Sequence, residues 1–413
     1  MNQLQSDEPR SGDHPGDAAP RRRERPGPDR GGPAGPAGRR PRAPEPPRRR
    51  EEPGENDVRC RVKVGSAEGV LAVVPHLLGF HPANSLVVLG ISGPHGRIRL
   101  AFRYDLPEPP DGSLSADIAA HASAVLDREH LTVAIVIGYG SGQAVTGVAD
   151  VVVPVLRSAN VVIHDVLRVH EGRYWSYLCS DPHCCPPEGQ PYDPAGHPAA
   201  AALEAAGLAA RTNRAALAST LARTSEAIEP MADAVERARH RAARLIEDSL
   251  RAADDGDILQ PIADAGRRSV RLAVAQYRRG AELTDLDEIA WIGLGLTDLR
   301  VRDDAWARMD VRFNDAHQRL WSHLVRMLPA EFAAPPASLL AFTAWQAGDG
   351  ALASIAIERA LSADPEYSMA KLIGEALQAG LPPSAARLPM TPKQVAATYA
   401  RHRKPSPGSR RPR

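Results

Sequence analysis

No apolar run of about 18 residues occurs anywhere in the chain, so no membrane-spanning helix is expected. The first residues, MNQLQSDEPR, do not carry the basic-then-apolar order of a secretory leader. Charge of one sign is missing too. The 51 Lys plus Arg are met by 50 Asp plus Glu, which removes a global field able to steer an acidic partner. Cysteine is scarce, with four in 413 residues, which excludes a disulfide scaffold and suits thiols kept reduced. These absences together predict a cytoplasmic protein with no membrane partner.

Composition divides the chain into four stretches. Residues 1–57 are dominated by Pro, Arg, Gly and acids, too poor in apolar surface to offset the entropy of ordering, and are expected to be a disordered tail. Their arginine triplets, Arg21–Arg23 and Arg48–Arg50, suggest nucleic acid, but 12 Arg stand against 11 Asp plus Glu there, so the segment is a polyampholyte. Residues 58–190 are expected to form an α/β domain with a mixed sheet and helices, and 191–400 an all-α domain. Residues 401–413, with six Lys plus Arg and no acid, read as a basic disordered tail.

In the α/β stretch, Val58 to Val64 alternates as a half-buried strand with Cys60 on its apolar side. Ser66 is an N-cap for a helix that Gly79 ends, with Pro75 dividing or kinking it. The following LGFHPANSLVVLG turns the chain into a strand apolar on both faces, as central strands are. His81, Asn84 and Ser85 lie in that turn as candidate polar groups, against the simpler reading of a self-satisfied turn. Arg97 to Tyr104 alternates again, Ile98, Leu100, Phe102 and Tyr104 opposing Arg97, Arg99 and Arg103. With Arg59, Arg61 and Lys63 these would make a six-cation face able to meet phosphates. A buried strand at Thr132–Ile137 runs into GYGSG, Gly138 to Gly142, and then a helix. That loop has neither dinucleotide spacing nor a Lys-Ser/Thr pair, so a tight turn is favoured over a phosphate cradle.

A hairpin over Val161–Val169 and Arg173–Leu178 then delivers the chain to YWSYLCSDPHCCPPEG. Cys179, His183, Cys184 and Cys185 fall within seven positions, with Asp181 among them. Three readings are open: a zinc site, a reactive thiol whose pKa is lowered by His183, a helix end or a nearby Arg, or a proline-stiffened hinge in which the cysteines pack as small apolar groups. Four residues between Cys179 and Cys184, and adjacent Cys184 and Cys185, weigh against a four-ligand cage, so no metal is assigned. No cofactor signature is complete, and the cofactor stays unknown.

The remaining chain has helical periodicity, with segments at Ala232–Ala253, Arg267–Tyr277, Leu286–Leu296 and Phe313–Leu328. Trp291, Trp306, Trp321 and Trp345 are expected as core anchors. SLLAFTAWQAGDGALASIAIERALSADP, from Ser338, has the small-residue spacing and Asp-Pro stop of one tetratricopeptide-like helix pair.

LLGFHPANSLVVLG, RYWSYLCSDPHCCPPEG, LRVRD at Leu299–Asp303 and the GDGALASIAIERALSADPEYSMAKLIGEAL block together resemble an actinobacterial family built on a domain of unknown function, over residues 58–383. The resemblance implies these boundaries and a cytoplasmic setting, and it transfers no activity, substrate or catalytic residue. Function is therefore unknown, and whether the protein is an enzyme is undecided. The leading expectation is a non-catalytic interaction or regulatory protein with a protein partner. The alternative is an enzyme or small-ligand-binding protein using the cysteine loop and the LGFHP turn. Nucleic-acid binding through the arginine strands is the weakest of the three, and the oligomeric state is open.

Overall fold

Ser66 opens the first helix, α1 (Ala67–Leu78), by accepting the Gly69 amide at 3.1 Å, and Gly79 closes it with a left-handed φ of 75°. Pro75 lies inside this helix without dividing it. The computed structural model describes residues 65–92, 96–108, 111–252, 257–388 and 390–401. The strand expected at 58–64, with Cys60, Arg59, Arg61 and Lys63, lies outside them, as do residues 1–57 and 402–413.

The sheet is built from β1 (Ser85–Ser92), β2 (Arg97–Asp105), β3 (Val133–Tyr139), β4 (Val162–His170), β5 (Arg173–Ser176) and β6 (Gln190–Pro191), in the order β2-β1-β3-β4-β5-β6. Among the described strands only β3 and β4 run parallel, so the sheet is mixed. Two helices of this half, α2 (Gly112–Arg128) and α3 (Gly142–Ser158), cover one face, where Ala119, Leu126, Val145 and Val152 pack on Leu86, Val88 and Val136. On the other face, Leu71, Val74 and Leu78 of α1 pack on Val87, Leu89, Ile135 and Ile137. A strand covered on both sides must be apolar on both sides, which is what β1 shows.

The GYGSG segment is a packing turn. A Cβ on Gly138 would stand 2.2 Å from Val145 Cγ1, so its absence lets α3 seat on β3. Ser141 caps α3 through the Ala144 amide. The alternation read in β2 needs correction. The register jumps between Gly90↔Leu100 and Ile91↔Ile98, which makes Arg99 a bulged residue. Ile98 and Ala101 consequently pack on the α1 side, while Leu100, Phe102 and Tyr104 pack on the α2–α3 side. The three arginines of β2, Arg97, Arg99 and Arg103, therefore do not line up on one face. Arg103 is itself committed: it donates to Ser85 Oγ at 2.7 Å, pairs with Asp105 and lies over the Phe80 ring.

Beyond the sheet the chain is helical, through α4 (Pro198–Ala205), α5 (Arg214–Ser219), α6 (Ile228–Arg251), α7 (Gln260–Arg278), α8 (Leu286–Leu296), α9 (Leu299–Ala307), α10 (Asn314–Met327), α11 (Ala334–Gln346), α12 (Gly350–Ala363), α13 (Ser368–Gln378) and α14 (Pro392–Arg401). One core runs from α6 to α13 and holds Trp291, Trp321 and Trp345. Every residue of α11 from Ala334 to Trp345 is buried, and α11 and α12 form a helical hairpin around Gly348, whose φ is 78°. The LRVRD segment is architectural. Arg302 holds Asp303, whose second oxygen accepts the Tyr399 hydroxyl at 2.6 Å and so ties α14 to α9.

The sheet and the helices are stitched together. Phe80 bridges Arg211, His81 N–H donates to Arg211 O at 2.9 Å, and Arg211 N–H donates back to Gly79 O at 2.8 Å. On the opposite face Arg128 reaches from α2 to the carbonyls of Ala379, at 2.9 Å, and Gly380. All described residues fall in one compact unit.

Candidate functional site

The cysteine loop, residues 177–189, leaves the sheet at Ser176 and comes back to it at Gln190. β6 pairs with β5 through Tyr174↔Gln190 and Arg173↔Pro191. The loop is thus closed at its base, and the expected hinge is corrected: the chain departs for the helices only after β6.

Ser176 fixes the outgoing limb. Its hydroxyl donates to Asp165 Oδ1 at 2.7 Å and accepts the amides of Leu178 and Cys179, each at 3.2 Å. Asp181 then folds the chain back on itself. Its carboxylate accepts the His183 amide at 2.9 Å, and its carbonyl accepts the amides of Cys184 at 3.2 Å and Cys185 at 2.7 Å. The returning limb is held by Gln190 Nε2 donating to Cys184 O at 2.8 Å, Trp175 Nε1 to Pro187 O at 3.0 Å, and Arg173 to Gly189 O at 2.7 Å. Gly189, with φ 80°, lies flat against Trp175, whose ring would be 2.5 Å from a Cβ there. The Arg168 guanidinium also stacks on Trp175, 3.5 Å from a ring centroid.

This double turn gathers the three thiols. The sulfurs of Cys179, Cys184 and Cys185 all lie within 4.8 Å of one another, and Cys184 and Cys185 are 3.9 Å apart. The thiols do not pack as small apolar groups: Cys184 is exposed, Cys179 and Cys185 are half-exposed, and all three are free. Their electrostatics differ. The Asp181 amide donates to Cys179 and, with Cys185, lowers its pKa, whereas burial and the neighbouring thiols push Cys185 up to about 12. Soft sulfur donors converging at a surface suit a thiophilic cation such as Zn²⁺. The His183 imidazole is 98% exposed, its Nδ1 3.5 Å from Asp181 Oδ1, and does not join the sulfur cluster.

The LGFHP turn is elsewhere. Ser85 aligns across the sheet with Tyr139 and Val169, whereas Ser176 aligns with Leu167 and runs toward the other strand end. Three strand spacings, about 14 Å, separate β1 from β5. Ser85 is fully buried, donating to Ala83 O at 2.6 Å and accepting from Arg103. Asn84 adopts a φ of 44° and offers its carbonyl to the Leu106 amide at 2.9 Å. His81, half-buried, is held below the usual histidine pKa by burial, with His76 adding to the effect. The structure therefore unites Cys179, Asp181, His183, Cys184 and Cys185 and leaves His81, Asn84 and Ser85 in a separate turn.

The model of a family described as a domain of unknown function, DUF4192, matches residues 68–384. The chain belongs to the DUF4192 family. This is the kind of family that the LLGFHPANSLVVLG and YWSYLCSDPHCCPPEG blocks suggested. No curated protein and no solved structure matches the chain. The DUF4192 match begins in α1 and ends after α13, so it includes the sheet, the helical core and the cysteine loop. Residues that sequence reasoning passed over here are Ser176, Asp165, Gln190, Trp175 and Gly189. A serine three residues before Cys179 and the glycine ending PPEG were the available signals.

Proposed function

We propose that this DUF4192 protein is a non-catalytic binding protein whose cysteine loop holds a zinc ion through Cys179, Cys184 and Cys185. One observation carries the reading: a Zn–S bond of about 2.3 Å sets tetrahedral sulfur–sulfur edges of about 3.8 Å, and Cys184 and Cys185 already stand 3.9 Å apart with Cys179 inside 4.8 Å. Ser176 and Asp181 act as positioning residues, and the fourth position is left for an added ligand. The same loop serves the regulatory role and the small-ligand role, because an exposed three-sulfur site accepts either a cation alone or a cation with an added ligand.

Free thiols at the surface favour a reducing compartment such as the cytoplasm. Among the described residues no helix is long and apolar enough to cross a membrane. The α11–α12 hairpin is the part read as tetratricopeptide-like. Since α11 is buried along its length, the hairpin supports the core and the protein partner is assigned to the loop surface. Nucleic acid is not assigned, because Arg103 is spent on Ser85 and Asp105.

Cobalt substitution tests the site. The full chain loaded with Co²⁺ is expected to take up one ion with a sulfur-to-cobalt charge-transfer band that shrinks by about a third with each Cys→Ser change at 179, 184 or 185. Uptake with no thiolate band, or a band indifferent to these three changes, refutes the assignment.

A further inference from the structure

The three sulfurs are close enough to one another to react as well as to ligate, and the backbone decides which pair. Adjacent α-carbons across a trans peptide are about 3.8 Å apart, short of the roughly 4.4–6.8 Å span that a disulfide prefers. Cys184 and Cys185 therefore cannot bridge without distorting the peptide between them, and Cys179 must be one partner. Cys185 is half-exposed like Cys179, whereas Cys184 is exposed, so the more sheltered pair is Cys179 with Cys185. Their sulfurs lie within 4.8 Å, brought together by the Asp181 turn in a loop pinned at both ends.

We infer that a peroxide closes Cys179 and Cys185 into a disulfide, and that the closed loop releases the metal. The inference rests on the zinc reading for its second half only. In the first step the Cys179 sulfur attacks one peroxide oxygen, the O–O bond breaks, and the departing hydroxide takes a proton to leave as water or alcohol. Cys179 is then a sulfenic acid. In the second step the Cys185 sulfur displaces the sulfenic oxygen, which leaves as water with the Cys185 proton, and the S–S bond forms. The two sulfurs together lose two electrons, and the peroxide gains them. Two of three ligands are thereby removed, and Cys184 alone does not retain Zn²⁺.

Hydrogen peroxide is added to full-length protein, metal-free and zinc-loaded, followed by alkylation, intact mass and peptide mapping, with released zinc read by a chromophoric chelator. The expected result is loss of two hydrogens, a 179–185 linkage in both samples, and zinc release keeping pace with the linkage. Cys179→Ser is expected to abolish the bridge and the loss of two hydrogens, whereas Cys184→Ser in the metal-free protein leaves both intact and so controls for misfolding. A 184–185 linkage, a linkage through Cys60, or oxygen adducts without a bridge overturns the inference. Zinc that stays bound in the bridged protein overturns the coupling. If the protein takes up no zinc at all, the metal reading fails by itself, and the metal-free sample still decides the disulfide.

Discussion

Gly189 and Ser176 bear more of the cysteine loop than their chemistry suggests. A side chain at Gly189 meets two penalties at once: a left-handed φ of 80° and the Trp175 ring at 2.5 Å. Gly189→Ala is expected to detach the returning limb and expose residues 177–189 to limited proteolysis, while the melting temperature of the core changes little. A chain whose loop resists protease as before would show that Trp175 yields instead. The thiol cluster itself was hard to read from spacing. Four residues separate Cys179 from Cys184, and only the Asp181 carbonyl, accepting two successive amides, shortens that path enough for the sulfurs to meet. Ser66 and Gly79, by contrast, announced the ends of α1 directly, because capping depends on neighbours within one turn.

Among the elements, the α3–β3 contact is the one that a single atom governs. Gly138→Ala would push a Cβ into Val145, 2.2 Å away, and overpacking of this kind costs about 1–3 kcal/mol. The double change Gly138→Ala with Val145→Ala is expected to recover part of that loss in a urea melt. Equal melts for the single and double variants would mean that α3 shifts as a body. The mixed sheet and the helical half were both legible from periodicity, since burial on one or two faces leaves its mark on every second or every third to fourth residue. What periodicity hid was the bulge at Arg99, which moves Ile98 to the other side of the sheet from Leu100. One inserted residue reverses a face without altering composition.

The helical half carries charge networks around its apolar core, and one of them bears on the response to acid. Asp304 is buried, and burial opposes its ionisation, but hydrogen bonds from Arg271 and Arg308 outweigh that and keep its pKa below the usual carboxylate value. A carboxylate with a depressed folded pKa contributes stability above its unfolded pKa and loses that contribution as pH falls through the folded one. Wild-type protein is therefore expected to lose melting temperature between about pH 5 and pH 3 more steeply than Asp304→Asn, which starts lower and falls less. Parallel acid profiles would place the sensitivity in another group. The junction of sheet and helices was not legible, because Arg128 meets Ala379 and Gly380 across a sequence separation of 251 and 252 residues, with no local pattern to announce it.

The base of the cysteine loop has one more consequence. Because Tyr174 and Gln190 face each other across β5 and β6, they stand about one strand spacing apart, roughly 5 Å, and a short reverse turn placed just beyond them fits that gap. The loop is in that sense a detachable cartridge. Excising it and joining the strands by a short turn should leave a chain that folds, with its sheet and helical core intact, and carries Cys60 as its only thiol.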